Sequence, residues 1–389
     1  AKDVNEFRER LYLMTTQAGM NAQQRESVQG QVLTASQKSG KDVNELMSVL
    51  ETGQEQFNNL QFFADHLTEI ATVAKVAGGD AGDFGKALGT VQQAFGLTGD
   101  EAIEAGYLMK AAADKGAIGM KDFATHFASA AGSFTLNTGL TGMGGVRQFV
   151  GAAQAVGTGQ FKGAESETRM TQAVAYLNRK EAQKELQAIG IRNIRKNGRI
   201  DVADVLDRLA GNKKFMSIPT VRQEVFRDVQ AREGIESMLA ARQRVQEGRT
   251  GAIDMRTIMG VDAKAGRDSV NQTMQGMQGE GFFQMQQEAA RMQADTVTNL
   301  RTYNDQILLV TRAADKLEQS FGALSLWASS IATAGVVSAG VGALGKVAGA
   351  GSSSGKLAKA LPSVANAGTA VAGGAAALLA KGSMGVGAA

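Results

Sequence analysis

Two pairs of carboxylates sit one helical turn apart, Asp201 with Asp204 and Glu101 with Glu104. Such spacing suits general acid–base chemistry when a cleft and apolar neighbours raise one of the two pKa values. Both pairs fall instead near expected helix N-termini, where the helix dipole favours acids. A favourable position beside the helix dipole is therefore the expected reading. His66 and His126 are the two histidines, and neither lies in HExxH or another metal-ligand spacing. Surface or interface positions suit them better. Cysteine is absent, which excludes disulfides, thiolate zinc sites and a cysteine nucleophile.

Three further motifs invite a ligand and lack its requirements. Gly340, Gly342 and Gly345 fit GxGxxG, but a dinucleotide site needs a preceding strand and an acid about twenty residues on. No acid follows Glu318 anywhere in the chain. The run GAGSSSGKLAK resembles a phosphate loop, yet Ala350 replaces its first glycine and Leu357 its magnesium-binding Ser or Thr. It reads as a flexible break. Arg192, Arg195, Lys196 and Arg199 could touch phosphates. They lack interleaved aromatics for base stacking, so a solvated basic surface is expected. No catalytic, cofactor-binding or metal-binding residue is assigned, and no cofactor is expected.

The elements that would position these residues read as helices. The chain has 389 residues, 48 Gly and only 2 Pro, Pro219 and Pro362. Few prolines permit long helices. Aromatics make up 5% of the chain, and much of its apolar content is alanine, which buries little area. Thin helix–helix contacts are therefore expected, rather than one deep aromatic centre. The opening residues carry no signal-peptide pattern.

A polar, Gln-rich helix is expected over 4–36, with Val4, Phe7, Leu11, Met14 and Ala18 at steps of three and four. SGKDVNEL marks a break and restart. A second run, 57–77, places Leu60, Phe63, Leu67, Ile70 and Ala74 on one face. Asp80 can cap a helix bearing Phe84, Leu88, Val91 and Phe95, which Gly96 stops. Thr98 or Asp100 starts the next, with Ile103, Tyr107 and Ala111. DKGAIGMKDF restarts again before Met120, Phe123, Phe127 and Ala131. TGMGG breaks before Val146, Phe149 and Val150. No β-branched residues alternate at period two, so strands should be minor. In IRNIRKNGRIDVADVLDRL an Asn-Gly turn precedes an amphipathic helix.

From Gln272 to Leu324 breaks become sparse. Leu300, Tyr303, Ile307, Val310, Ala314, Leu317, Phe321 and Leu324 alternate steps of three and four. They form a heptad seam expected to gather several copies, with three preferred because a bulky mixed set suits more than two strands; a hexamer is the alternative. From Gln319 to Gly345 no charge appears, and as a helix such a run exceeds the ~30 Å hydrocarbon core. Another uncharged run spans 360–380. Gly345 and Gly349 suit close packing of membrane segments.

The segment from Leu60 to about Ile191 resembles the core region of tail tape measure proteins from long-tailed bacteriophages. LTEIATVAKVAGGDAGDFGKALGTVQQAFGLTGDEA is similar to that family's helix, Gly-Asp break, helix, AFGL stop and acidic restart. YLMKAAADKGAIGMKDFATHFASAAG resembles the following pair of helices. LTGMGGVRQFVGAAQAVGTGQFKGAESETRMTQAVAYL resembles the Ala-rich series beyond it, before ELQAIGI. The likeness covers about a third of the chain and lies in the order of its parts. It implies a helical, multicopy protein in the lumen of a phage tail tube that sets tail length during assembly and leaves before DNA passes. Tail tube and baseplate, hub or tip proteins would be its partners, and the host membrane after ejection. Sequence-specific nucleic-acid binding is not expected, and no catalytic residue is carried over.

The expected class is all-α: a bundle of short Gly-punctuated helices, a long coiled-coil-like helix, and Ala/Gly-rich apolar C-terminal helices. The expected segments are 1–56 (polar helical), 57–190 (tape-measure-like core), 191–271 (charged helical), 272–325 (heptad-bearing helix) and 326–389 (acid-free apolar tail). The expected function is a structural tail tape measure of the virion, with C-terminal segments as candidates for entering the host envelope and no enzymatic activity. The rival classes are a pore-forming toxin or secreted effector, and a tail-associated peptidoglycan-cleaving enzyme.

Overall fold

Helix stops and starts follow the local chemistry of the sequence. The helix Ala81–Phe95 opens with Asp80 accepting the Asp83 N–H and closes at Gly96, whose φ of 65° is left-handed. Glycine reaches that conformation without a steric penalty. Two residues later Thr98 caps Gly99–Lys115, and Glu101 reaches back to the Thr98 N–H, completing a capping box. Asp42 likewise starts Val43–Phe57 after Gly40 ends Ala22–Ser39.

The computed structural model describes residues 2–159 and 161–298. The chain divides into a unit ending at Leu300 and a second spanning Arg301–Ala389. The second lies outside the described residues. So do the whole expected heptad seam from Leu300 to Leu324, the glycines Gly345 and Gly349, and the apolar tail.

The described residues form an all-α architecture. Eighteen α-helices run from Lys2–Gln17 to Ala263–Gln278, and residues 281–298 are also helical. The one sheet among them is a hairpin of two-residue strands, Arg195–Lys196 and Arg199–Ile200. Its antiparallel register pairs Arg195 with Ile200 and Lys196 with Arg199. Asn197 and Gly198 make the turn at φ 49° and 77°, which matches the twist of paired strands.

The helix Gly142–Gly157 is the hub. Nearly every residue from Gly145 to Gly157 is buried. It packs against Ala81–Phe95, Gly99–Lys115, Ala164–Leu177, Val202–Gly211, Val229–Gln246 and Met255–Met259. Its alanines and glycines let these neighbours approach closely. Its polar side chains serve them: Gln154 accepts from the Ile118 N–H at 2.8 Å and donates to the Ile118 carbonyl at 2.9 Å. Gln148 accepts from the Val202 N–H at 2.9 Å. Arg147 donates to the carbonyls of Met259 and Val261.

Several expectations are corrected. The core is neither thin nor poor in aromatics. One continuous apolar cluster runs from Phe7 to Val297, across the positions 56/57, 190/191 and 271/272. Phe95, Phe123, Phe134 and Phe149 meet at its centre with ring centroids 5.4–6.3 Å apart. The few aromatics are concentrated inward, and small residues between them draw the helices together.

The single helix expected over 4–36 is two, Lys2–Gln17 and Ala22–Ser39. Gly19 turns left-handed at φ 70°, and Asn21 with Gln24 forms a new capping box. The run 57–77 divides at Asn58, left-handed at φ 48°, and again at His66, giving Leu60–Asp65 and Leu67–Ala77. Beyond Met120–Asp122 the chain widens into a π-helical turn, Phe123–Phe127, and a short 3-10 turn, Ala128–Ala130. That turn leaves Phe123 and Phe127 stacked 5.7 Å apart and buried. The break expected at TGMGG falls earlier, at 139–141, and Gly142 already begins the next helix.

Within the described part of the long helix expected over 272–325 there is one break. Ala263–Gln278 ends at Gly279, and residues 281–298 start anew. The bend lets Phe283 turn inward, where it is fully buried, beside Gly40.

Candidate assembly surface

The helix of residues 281–298 has two unlike faces. Phe283, Ala290, Ala294 and Val297 are buried at the spacing of an inward stripe. Polar ties hold this helix to the bundle. Lys75 donates to Gln286, Gln293 donates to Asp42 at 3.1 Å, and Arg8 donates to the Val297 carbonyl at 3.4 Å. The Lys75 ammonium lies 5.6 Å from the centre of the Phe283 ring. Burial pushes the Lys75 pKa down, and neighbouring Lys41 adds to the shift against the opposing pull of Glu45.

The opposite face carries Phe282, Met285 and Met292, at 49%, 70% and 58% exposure. With the exposed Ala289 between them they follow steps of three, four and three, so they share one side of the helix. Large apolar side chains in such a row mark an interaction surface more often than scattered ones do.

Several of the residues with chemical potential are engaged with one another or with the backbone. Asp201 accepts the Asp204 N–H at 2.9 Å as the cap of Val202–Gly211. Asp204 pairs with Arg208 at 2.6 Å. Glu101 accepts from the Thr98 N–H and hydroxyl, and these bonds lower its pKa. Arg195 donates to the carbonyls of Gly198 and Asn137 and to the Asn178 side chain, so it docks the hairpin on its neighbours. Lys196 and Arg199 sit opposite each other across that hairpin. His66 packs against the Phe62 ring at 5.1 Å, and His126 lies in the π-helical turn.

Two clusters have no counterpart in the sequence reading. Lys110, on Gly99–Lys115, donates to Ser269 Oγ at 3.2 Å and pairs with Asp114, while Ser269 donates to Asp114 at 2.7 Å. The serine proton points at a carboxylate already held by an ammonium. The trio ties Gly99–Lys115 to Ala263–Gln278. The other joins Arg242 to Asp207 at 2.8 Å and to buried Asp254 at 2.9 Å, with Arg256 also on Asp207. Only the Lys110–Asp114 pair, four residues apart on one helix, had a spacing signal; Ser269 and the partners of Arg242 lie on other elements.

Among the described residues, the hollow beside Asp80, Phe84 and Met120 has a volume of about 10 Å³, enough for about one water where ligand sites typically need hundreds of cubic ångströms. Among the described residues no group of three His, Asp or Glu is placed to hold a metal, and no helix is long and apolar enough to cross a membrane.

The class that the fold defines is all-α, and the described residues share one continuous core. No protein-family model, curated protein or solved structure matches the chain. The exposed row Phe282, Met285 and Met292 was not singled out by sequence reasoning. Its signal was partial: Phe282 lies a whole number of heptads before Tyr303, whereas Met285 and Met292 lie on neither position of the expected seam.

Proposed function

We propose that the chain is a structural tail tape measure protein of a long-tailed bacteriophage, present in several copies inside the tail tube and setting its length during assembly. The ordered series of helix, stop and restart from Leu60 to Ile191 carries this reading. The stops at Gly78 and Gly96 and the caps at Asp80 and Thr98 lie at the breaks on which the resemblance rests. An all-α body with small cavities suits a role in shape and contact between copies. The seam from Leu300 to Leu324 is the element that gathers copies, with three preferred. The acid-free tail, with Gly345 and Gly349, is the candidate for perturbing the host envelope after ejection. Tail tube and tip or hub proteins are the remaining partners.

A ruler made of helix changes length by about 1.5 Å per residue. Duplication of residues 303–323, three whole heptads, should lengthen the tail by about 30 Å while keeping the seam intact and in phase. Electron micrographs of assembled particles read this directly. Tails of unchanged length would refute the ruler role of that segment.

A further inference from the structure

We propose that copies of this chain associate head to tail through opposite charges, the acidic side of one folded unit meeting the basic side of the next. The inference goes beyond the ruler reading and shares with it only the expectation of several copies.

Charge is sorted along the chain. Residues 42–109 contain eleven Asp and Glu against two cations, Lys75 and Lys86, whereas residues 179–214 contain ten Lys and Arg against five acids. The fold gathers each group on its own elements. Val43–Phe57, Leu67–Ala77, Ala81–Phe95 and Gly99–Lys115 pack on one another. Lys180–Ala188, Val202–Gly211, Lys213–Ser217 and Pro219–Val225 form a second packed set. The hub helix Gly142–Gly157 touches members of both. Ion pairs are made locally: Lys41 with Glu45 and Arg10 with Glu51 in the first half of the unit, Arg208 with Asp204 and Arg227 with Glu185 in the second. Such pairs leave the excess of each sign in place.

Each excess comes to the surface in a patch. Asp100 and Glu104 are exposed one turn apart at the start of Gly99–Lys115. A β-carbon on Gly99 would stand 3.2 Å from the Phe62 ring and 3.7 Å from the His66 Nε2, so exposed Asp65, next to His66, belongs to the same patch. Arg267, over the Tyr107 ring, lies further along that helix. On the basic side Lys196 and Arg199 are partners across the hairpin. Arg208 donates to the Arg192 carbonyl at 2.8 Å and pairs with Asp204, which Lys196 approaches to 3.9 Å. These contacts bring Arg192, Lys196 and Arg199 together, and all three are exposed.

The occupant is a second copy because every copy carries both halves of the match. The contact is heterologous: it leaves one patch of each sign open, so it can be repeated. A nucleic acid would use the basic patch and be repelled by the acidic side of the same unit. A second copy uses both. Exposed ion pairs add only a fewfold each to affinity, while complementary fields orient the partners and speed their encounter. The association is therefore modest and sensitive to salt.

Sedimentation equilibrium of the full chain tests this at about 0.1 M and about 1 M NaCl, where the Debye length is about 10 Å and about 3 Å. The dissociation constant should rise about tenfold across that range, whereas a buried apolar contact is screened far less. The reversed chains R192E/K196E/R199E and D65K/D100K/E104K should each lose the salt-dependent association. An equimolar mixture of the two should recover it, since the reversed patches match each other and the unaltered patches still match. The milder R192Q/K196Q/R199Q adds no repulsion and should weaken association in the same direction, which keeps the comparison if reversal perturbs folding. Wild-type association that ignores salt, or a mixture that fails to recover it, would overturn the proposal. So would a random-sequence DNA duplex that binds through Arg192, Lys196 and Arg199 more tightly than the chain binds itself. Tail length in assembled particles bears on the ruler role alone.

Discussion

Gly266 lies so close to Tyr107 that a β-carbon on the glycine would stand 1.9 Å from the tyrosine carbonyl oxygen and 3.0 Å from the Ala111 nitrogen. The obstacle is backbone, which cannot swing aside as a side chain can. The crossing of Gly99–Lys115 with Ala263–Gln278 therefore has no room for alanine. It is the same crossing that the Lys110, Asp114 and Ser269 trio ties together.

Gly266→Ala should destabilise the protein by about 3 kcal/mol, at the upper end for overpacking a core. Gly276→Ala lies on the same helix, where a β-carbon meets nothing within 4 Å. That change should stabilise by about 0.5–1 kcal/mol through helix propensity. Urea unfolding of the two variants against wild type gives the comparison, and a shift of the same sign in both would contradict the packing account.

Gln154 is fully buried and satisfies both backbone groups of Ile118. Gln154→Ala removes both partners and leaves an N–H and a carbonyl without replacement. A loss of about 2–4 kcal/mol is expected, since each buried orphan costs about 1–3 kcal/mol. The Ile118 amide should also exchange its proton faster with deuterium, which a simple cavity effect elsewhere in the hub would not single out.

Asp254 is buried, and burial by itself raises its pKa. The bonds from the Thr257 N–H and hydroxyl and from Arg242 outweigh that effect, and the net shift is downward. A carboxyl whose folded pKa is depressed stabilises the protein above its unfolded pKa, about 3.9. That stabilisation is lost as pH falls through the lower folded value. Unfolding midpoints measured from pH 6 down to pH 2 should drop more steeply below about pH 4 for wild type than for Asp254→Asn. Asp254→Ala at neutral pH should cost about 3 kcal/mol, because it leaves Arg242 short of a buried partner.

Thr98→Ala breaks the capping box that starts Gly99–Lys115. The expected loss is about 1 kcal/mol. Thr98→Ser should retain most of the stability, and thermal melts of the pair separate loss of the cap from loss of the methyl group.

Much of this molecule is local and was readable as such. Helix class follows from scarce proline and from apolar residues at steps of three and four. The caps at Asp42, Asp80 and Thr98, the stops at Gly40, Gly78 and Gly96, and the turn at Asn197 and Gly198 each depend on a few neighbouring residues. Their positions therefore show in the sequence. The inward faces bearing Phe84, Leu88, Val91 and Phe95, or Val146, Phe149 and Val150, follow from the same periodicity.

What the sequence left open depends on residues far apart in the chain. Gly266 and Gly276 look alike in sequence, and only the helix crossing against Tyr107 separates them. The bend at Gly279 could be assigned only once Phe283 was seen to fill the space beside Gly40. Phenylalanines that are few in composition become a central cluster because helices distant in sequence converge on Gly142–Gly157. Likewise, the exposed row Phe282, Met285 and Met292 is defined by which side of its helix the core already occupies. Backbone conformation is set by neighbours along the chain, whereas burial is set by whatever the folded chain brings alongside, and the exposed row belongs to the second kind.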